Sequence, residues 1–306
     1  MEQKKGLRWN SRTSNIVLGW CLVAPLLLWL LLTVIYPLCY TFWLSMQNQE
    51  LLGAKSEFVW LETYKVVLSD KEFWNALKNS LIWTVGNSIL QGIGGLTVGL
   101  LLNQRFKGCR FMRVWIILPW IIPTVVMAIM WKWMLSSTFG VLGWLLVKSG
   151  LCTTAPNFLG DPFNAMPTLI LINSWRWIPF MAVVILAALQ TIPDDLYEAA
   201  AVDGAGPVKK FLTITLPGVA GTTTTMFLIG TLFSFNMFDV VWLMTEGGPL
   251  NYTTTLPVLI YKSAFKTFRV SQAAAISVVV FVILACFVAL ASRMSALKDL
   301  EGDDRG

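Results

Sequence analysis

Six long apolar runs, at residues 16–36, 80–102, 114–135, 166–190, 219–244 and 271–292, alternate with polar stretches along the chain. Each run reaches the ~20 residues that an α-helix needs to cross a bilayer. The pattern predicts an all-α membrane protein of six transmembrane helices, with a tail at 1–15, one six-span domain over 16–292 and a second tail at 293–306. The connecting stretches carry expectations of their own. In 45–79, Trp60 to Leu68 and Phe73 to Leu77 show helical spacing with interspersed charges and read as an interfacial amphipathic helix. In 136–165, Val141 to Val147 reads as a short interfacial helix. Segment 245–270 opens on Glu246-Gly247-Gly248-Pro249, a strong turn signal. The connection at 191–218 is too long for a plain helix–helix loop and should hold structure of its own.

Composition supports the membrane reading. Of 306 residues, 56% are hydrophobic and 13% charged, about half the charge of a soluble chain. Ile16 to Ile35 is too long for a signal-peptide core and reads as a retained first span. The excess of Lys and Arg sets the orientation. Lys4, Lys5, Arg8 and Arg12 precede the first run, Arg105, Lys107, Arg110 and Arg113 follow the second, and Arg293 and Lys298 follow the sixth. All fall on one side, so both termini and segment 191–218 are expected in the cytoplasm. Lys262, Lys266 and Arg269 run against the rule, but the short basic loop after the second run carries more weight.

Several chemistries are excluded. The chain has no histidine, which removes Ser–His and Cys–His nucleophiles and His metal sites. It has no G-x-x-x-x-G-K-[ST] phosphate loop. The five cysteines, at 21, 39, 109, 152 and 286, show no C-x-x-C or metal spacing. Cys39 and Cys152 both fall on the expected outer side, and no pairing follows from spacing alone. No catalytic, cofactor or metal residue is expected. A secondary transporter or channel would need coupling carboxylates at mid-depth, and only Asp239 qualifies.

Within 191–218, Ile192-Pro193-Asp194-Asp195 ends a span and sets acidic residues where a helix N-terminus favours them. Leu196 to Val202 is rich in helix formers, with Leu196, Ala199, Ala200 and Asp203 separating a small-residue face from a charged one. Gly204 and Gly206 permit a sharp turn with positive φ. Pro207 fits the first turn of a second short helix through Lys209, Lys210, Phe211 and Leu212 to Leu216. The result is a compact knob whose small side chains can enter a partner's groove, with Glu198 offered to an Arg or Lys there. On these residues alone, a helix–turn–helix loop without a partner remains equally open.

Glu198-Ala199-Ala200, Gly204 and the exit Ile214-Thr215-Leu216-Pro217 resemble the EAA loop of permease subunits of binding-protein-dependent ABC importers. The likeness continues in Asn79-Ser80, in Arg110-x-x-Arg113 followed by Leu118-Pro119-Trp120-Ile121-Ile122-Pro123, and in Trp131-Lys132-Trp133. Gly140, Thr245 to Pro249 and Tyr261-x-x-Ala264-Phe265 extend it. It spans residues 10–295 and points to the carbohydrate, maltose-transporter-type branch. The resemblance implies that Glu198, Ala199, Ala200, Asp203, Gly204, Gly206 and Pro207 couple to a separate ATPase. ATP and magnesium would bind that ATPase, present in two copies. The further partners implied are a second permease in a heterodimer, a soluble or tethered sugar-binding protein and the lipid of a bacterial inner membrane; no nucleic acid is expected.

Three segments place polar or helix-breaking residues inside apolar runs, where they usually face a cavity. They are Pro119 to Thr124, Asn173 to Pro179, and Ser234 to Asp239. Aromatic rings offer apolar faces to the C–H faces of a sugar, and Asn, Ser and Thr bond its hydroxyls. By the resemblance, Trp120, Thr124, Trp175, Trp177, Phe233, Ser234 and Met237 fall on substrate-contacting positions, while Trp131, Trp133 and Trp242 fit a membrane-interface belt equally well. Arg176 lies deep in the fourth run. It is expected either to pair with Asp239 or to meet an anionic group, such as a sulfonate or phosphate on a sugar.

Overall fold

The structure is a computed structural model. It describes residues 11–49, 57–104 and 106–303, and within them the side chains of 16 and of 18 to 293. Lys4, Lys5, Arg8 and Arg105, invoked above for orientation, lie outside the described residues, and so does the end of the C-terminal tail. Among the described residues, five helices are long and apolar enough to cross a membrane, and a bent helix pair makes a sixth crossing if counted as one span. By contacts the chain divides into two compact units, Met1–Val67 with Ser263–Val279 and Leu68–Lys262 with Val280–Gly306.

In the first unit, α1 (Ser11–Leu30), a π turn (Leu31–Ile35) and α2 (Tyr36–Ser45) follow one another without interruption. The wide turn precedes Pro37, whose ring cannot donate to the preceding turn and would clash with it. Leu22, Trp29 and Tyr36 are exposed on this helical path, as suits an apolar solvent. A two-residue antiparallel ladder follows, β1 (Gln47–Asn48) with β2 (Glu57–Phe58), pairing Gln47 with Phe58 and Asn48 with Glu57. The helix α3 (Glu62–Ser69) is tied to it by Thr63, whose hydroxyl donates to Gln47 O at 3.0 Å. The first turn of the last helix (Val270–Asp303) hooks on through Gln49, whose N–H donates to Ser271 Oγ at 2.9 Å.

The second unit is built on α4 (Lys71–Asn103). Asp70 caps its start, accepting from Glu72 N–H at 2.8 Å. At its end Leu102 O accepts from Arg113 Nη2 at 2.7 Å and from Cys109 Sγ at 3.1 Å. The helix begins well before residue 80, so Phe73 to Leu77 form its first turns and not a separate interfacial helix. The polar residues Asn79 and Ser80 within it find partners across the unit. Asn79 Nδ2 donates to Asn251 O at 3.0 Å and Thr254 O at 3.1 Å, and Ser80 Oγ accepts from Leu256 N–H at 2.8 Å.

The expected single span at 114–135 is broken into α5 (Cys109–Trp115), α6 (Leu118–Ile121) and α7 (Thr124–Met134), with a 92° bend before α7. Pro123 causes it, since it forces Ile122 into an extended conformation (ψ 127°). The expected short helix appears as α8 (Val141–Lys148). The next helix, α9 (Pro162–Leu189), packs along α4. Glycine permits the close approach: a Cβ on Gly95 would lie 2.6 Å from Met181 Cβ, and one on Gly99 3.1 Å from Ala182 O.

Then come α10 (Asp194–Val202), α11 (Pro207–Lys210), a π turn (Phe211–Thr215) and α12 (Leu216–Phe235). The second short helix expected through Leu216 therefore runs on into the fifth span. That span ends at Phe235, earlier than the apolar run suggested, because Asn236 to Phe238 break it before α13 (Asp239–Thr245). The last element of the unit's main segment is α14 (Leu256–Tyr261). Trp83, Met127, Leu169, Val240, Met244 and Val258 form the core.

Candidate functional site

The break in the third span and the end of the fifth border one cavity of about 270 Å³. Trp120 comes from α6, Trp177, Phe180 and Met181 from α9, Met226, Ile229, Gly230, Phe233 and Ser234 from α12, Met237 from the break, and Gln91 from α4. The aromatic wall is ordered. Trp120 stacks on Phe180 with ring centroids 5.2 Å apart and planes at 16°, and Trp177 meets Phe180 edge-on at 6.0 Å. A Cβ on Gly230 would touch nothing within 4 Å, so this glycine faces open space.

Five of the eight residues expected on a pathway share this wall: Trp120, Trp177, Phe233, Ser234 and Met237. Thr124, Trp175 and Arg176 are not among its lining residues. Thr124 starts α7, and Trp175 packs edge-on against Trp131 at 5.4 Å, at the margin of the core. Arg176 makes no hydrogen bond or contact ion pair with Asp239 among the described residues. Its Nε is buried without a partner, and its guanidinium carbon sits 5.7 Å from the Trp177 ring. Asp239 is exposed at the first position of α13, where the helix N-terminus favours a carboxylate. Of the belt candidates, Trp133 is exposed, whereas Trp242 packs against Phe238 and Tyr261.

Gln91, Phe180, Met181, Met226, Ile229 and Gly230 were not anticipated. Gln91 alone had a legible signal: Asn79, Trp83, Asn87 and Gln91 recur every four residues and so lie along one face of α4.

The polar knob has its own geometry. Gly204 has φ +73°, and its N–H donates to Ala201 O at 3.1 Å while Ala205 N–H donates to Ala200 O at 2.8 Å. These two bonds close α10 in a Schellman turn. Gly206, expected to share the left-handed conformation, has φ −70° and instead leads extended into Pro207 at the start of α11. Tyr197 OH meets Thr215 Oγ1 at 3.0 Å and anchors the knob. No residue of α10 is buried. Glu198 is exposed, as are Ala199, Asp203 and Pro207, while Ala200 is half-buried. Leu196 and Val208 are also exposed, and Val202 is 88% exposed.

A third polar cluster closes the 246–256 turn. Lys262 Nζ donates to Asn251 Oδ1 at 3.0 Å and Thr254 Oγ1 at 3.3 Å. Burial pushes the Lys262 ammonium below the ordinary lysine range, partly offset by Glu72 and Glu246. All five cysteines are free thiols, including Cys39 and Cys152. Among the described residues no group of three His, Cys, Asp or Glu side chains is placed to hold a metal.

The apolar spans and the aromatic chamber between them suit a membrane transport protein. The chain is a member of the family of binding-protein-dependent transport system inner membrane components, whose profile matches residues 92–294. It is thus the membrane permease component of an ABC importer and not an enzyme; in this family ATP hydrolysis belongs to another subunit. It is 34% identical over 273 residues to the trehalose/maltose transport system permease protein MalF of Thermococcus litoralis, covering 88% of this chain and 90% of that one. It is 31% identical over 307 residues to the sulfoquinovosyl glycerol transport system permease protein SmoG of Agrobacterium fabrum, covering 98% and 97%. Its fold matches a bacterial alginate ABC transporter solved with a pentasaccharide-bound periplasmic protein, with a TM-score of 0.83, 23% identity and coverage of 93% and 96%.

Proposed function

We propose that this subunit passes a sugar or sugar derivative across the bacterial inner membrane through the chamber lined by Trp120, Trp177, Phe180, Phe233, Ser234 and Gln91. The carrying observation is that chamber. Stacked aromatic walls with few polar groups suit a ring with C–H faces and peripheral hydroxyls. The names of the relatives, which transport trehalose, maltose or sulfoquinovosyl glycerol, support the same substrate class.

In this reading both termini and the 194–207 knob lie in the cytoplasm. A soluble or tethered binding protein delivers substrate from outside, a second permease completes the pathway, and two ATPase copies bind ATP and magnesium. Glu198, Ala199, Ala200, Asp203, Gly204, Gly206 and Pro207 form the docking knob. ATPase closure moves the knobs and turns the chamber from one side to the other as a rigid-body switch.

The test is uptake into proteoliposomes that hold the complete importer and its binding protein. Gly230→Trp fills the chamber and should abolish ATP-driven uptake while the ATPase still copurifies. Undiminished uptake would remove the chamber from the pathway.

A second reading has a specific observation in its favour. Arg176 keeps a buried Nε without a partner beside Trp177, which lines the chamber. A sulfonated or phosphorylated sugar would supply the missing acceptor. Arg176→Gln would then lose uptake of an anionic sugar and keep uptake of its neutral counterpart.

A further inference from the structure

The polarity of the chamber is set by a chain of side-chain amides in the buried faces of α4 and α9. Asn87 is fully buried, and its Nδ2 donates to Trp83 O at 2.8 Å. That bond fixes which way the Asn87 amide points. Its Oδ1 therefore faces the remaining neighbours and accepts from all of them: Asn173 Nδ2 at 2.7 Å, Gln91 Nε2 at 3.0 Å and Ser174 Oγ at 3.3 Å. Each of these groups must present a donor to Asn87. Gln91 thus turns its NH₂ inward, and its Oε1 receives no hydrogen bond from the described residues. Gln91 is only 6% exposed and lines the chamber. Its oxygen differs from Asn173 Oδ1, which has no partner and is sealed from solvent.

The other polar groups of the lining do not duplicate this oxygen. Trp120 and Trp177 carry only N–H donors, and the Ser234 hydroxyl can serve either way. Gln91 Oε1 is the acceptor whose orientation the protein dictates. We propose that Gln91 is a specificity-determining residue, whose Oε1 accepts a hydrogen bond from one hydroxyl of the passing sugar while the aromatic wall holds the ring. This rests on the chamber being the substrate path, as proposed above. A substrate lacking a donor at that position leaves a nearly buried carbonyl unsatisfied and is discriminated against.

The test uses the complete importer with its binding protein in proteoliposomes. Uptake is measured over a panel of labelled mono-, di- and trisaccharides, neutral and charged, and then over monodeoxy analogues of each sugar imported. In wild type, one analogue should enter roughly tenfold more slowly than its parent. Gln91→Met is similar in length and apolar, and it should import parent and analogue at equal rates, with the parent slowed roughly tenfold. Gln91→Asn keeps an amide but withdraws its oxygen from the chamber, so it should lose the discrimination too and covers the case in which the Met variant fails to assemble. Wild-type discrimination retained in both variants overturns the inference. Gly230→Trp separates the two claims. If it leaves uptake intact, the path and the Gln91 assignment both fall; if it stops uptake while both Gln91 variants keep the wild-type ratio, the Gln91 assignment alone falls. Import of no panel sugar by the wild type would overturn the sugar reading, and this inference with it.

Discussion

Among the described residues Arg176, deep in an apolar span, makes no contact ion pair, and that has a measurable consequence. A contact pair with Asp239 would bind the two residues strongly; among the described residues no such contact is made. A double-mutant cycle of Arg176→Gln and Asp239→Asn, read as thermal stability of the purified complex, should therefore give a coupling below about 1 kcal/mol. A coupling of about 3 kcal/mol, as for a buried pair, would restore the ion-pair expectation. At this scale the sequence was legible where a residue breaks its surroundings. Trp120 stands between two prolines, and Ser234 and Met237 flank Asn236, so local breaks marked them. Phe180, Met181 and Met226 are apolar residues in apolar helices, and nothing in such a run says which side faces a cavity. Trp175, expected on the pathway by the resemblance, packs against Trp131 and is not among the residues that line the chamber.

Whole helices were easier to anticipate than their ends. The apolar runs located the long helices, yet α4 starts at Lys71, because tertiary partners satisfy polar residues that hydropathy counts as loop, and α12 stops at Phe235, because Asn236 to Phe238 break a run that hydropathy counts as continuous. The break in the third span was readable from Pro119 and Pro123, but its 92° bend was not, since proline removes a hydrogen bond without stating the new direction. The close packing of α4 on α9 gives a test at this scale. Gly95→Val places a branched side chain against Met181 at a distance real contacts do not reach. It should destabilise the subunit by about 1–3 kcal/mol, seen as a lowered thermal midpoint in detergent. Gly92→Ala, where a Cβ meets nothing within 4 Å, should leave the midpoint unchanged or raise it. Equal melting of Gly95→Val and wild type would contradict the tight interface.

At the scale of the whole molecule, the two features that matter sit in different parts of one unit: a chamber at the break of the third and fifth spans, and an exposed knob at 194–207. The sequence showed the knob as a motif with Gly204 at its hinge, and the backbone uses that glycine as the turn demands, at φ +73°. What it did not show is that α11 and the π turn continue from the knob into α12, which also lines the chamber. In the proposed reading, a push on the knob would be delivered to a wall of the chamber through this continuous helix. Gly204→Leu leaves every span untouched, and its Cβ would meet nothing within 4 Å, but it costs about 1–2 kcal/mol in the left-handed conformation and so opposes the Schellman turn. The measurement that tests the account most directly is binding-protein-stimulated ATP hydrolysis by the reconstituted importer. The account predicts robust stimulation with the wild-type subunit and its loss with Gly204→Leu, while the variant still inserts in the membrane; stimulation at the wild-type level in Gly204→Leu would contradict it.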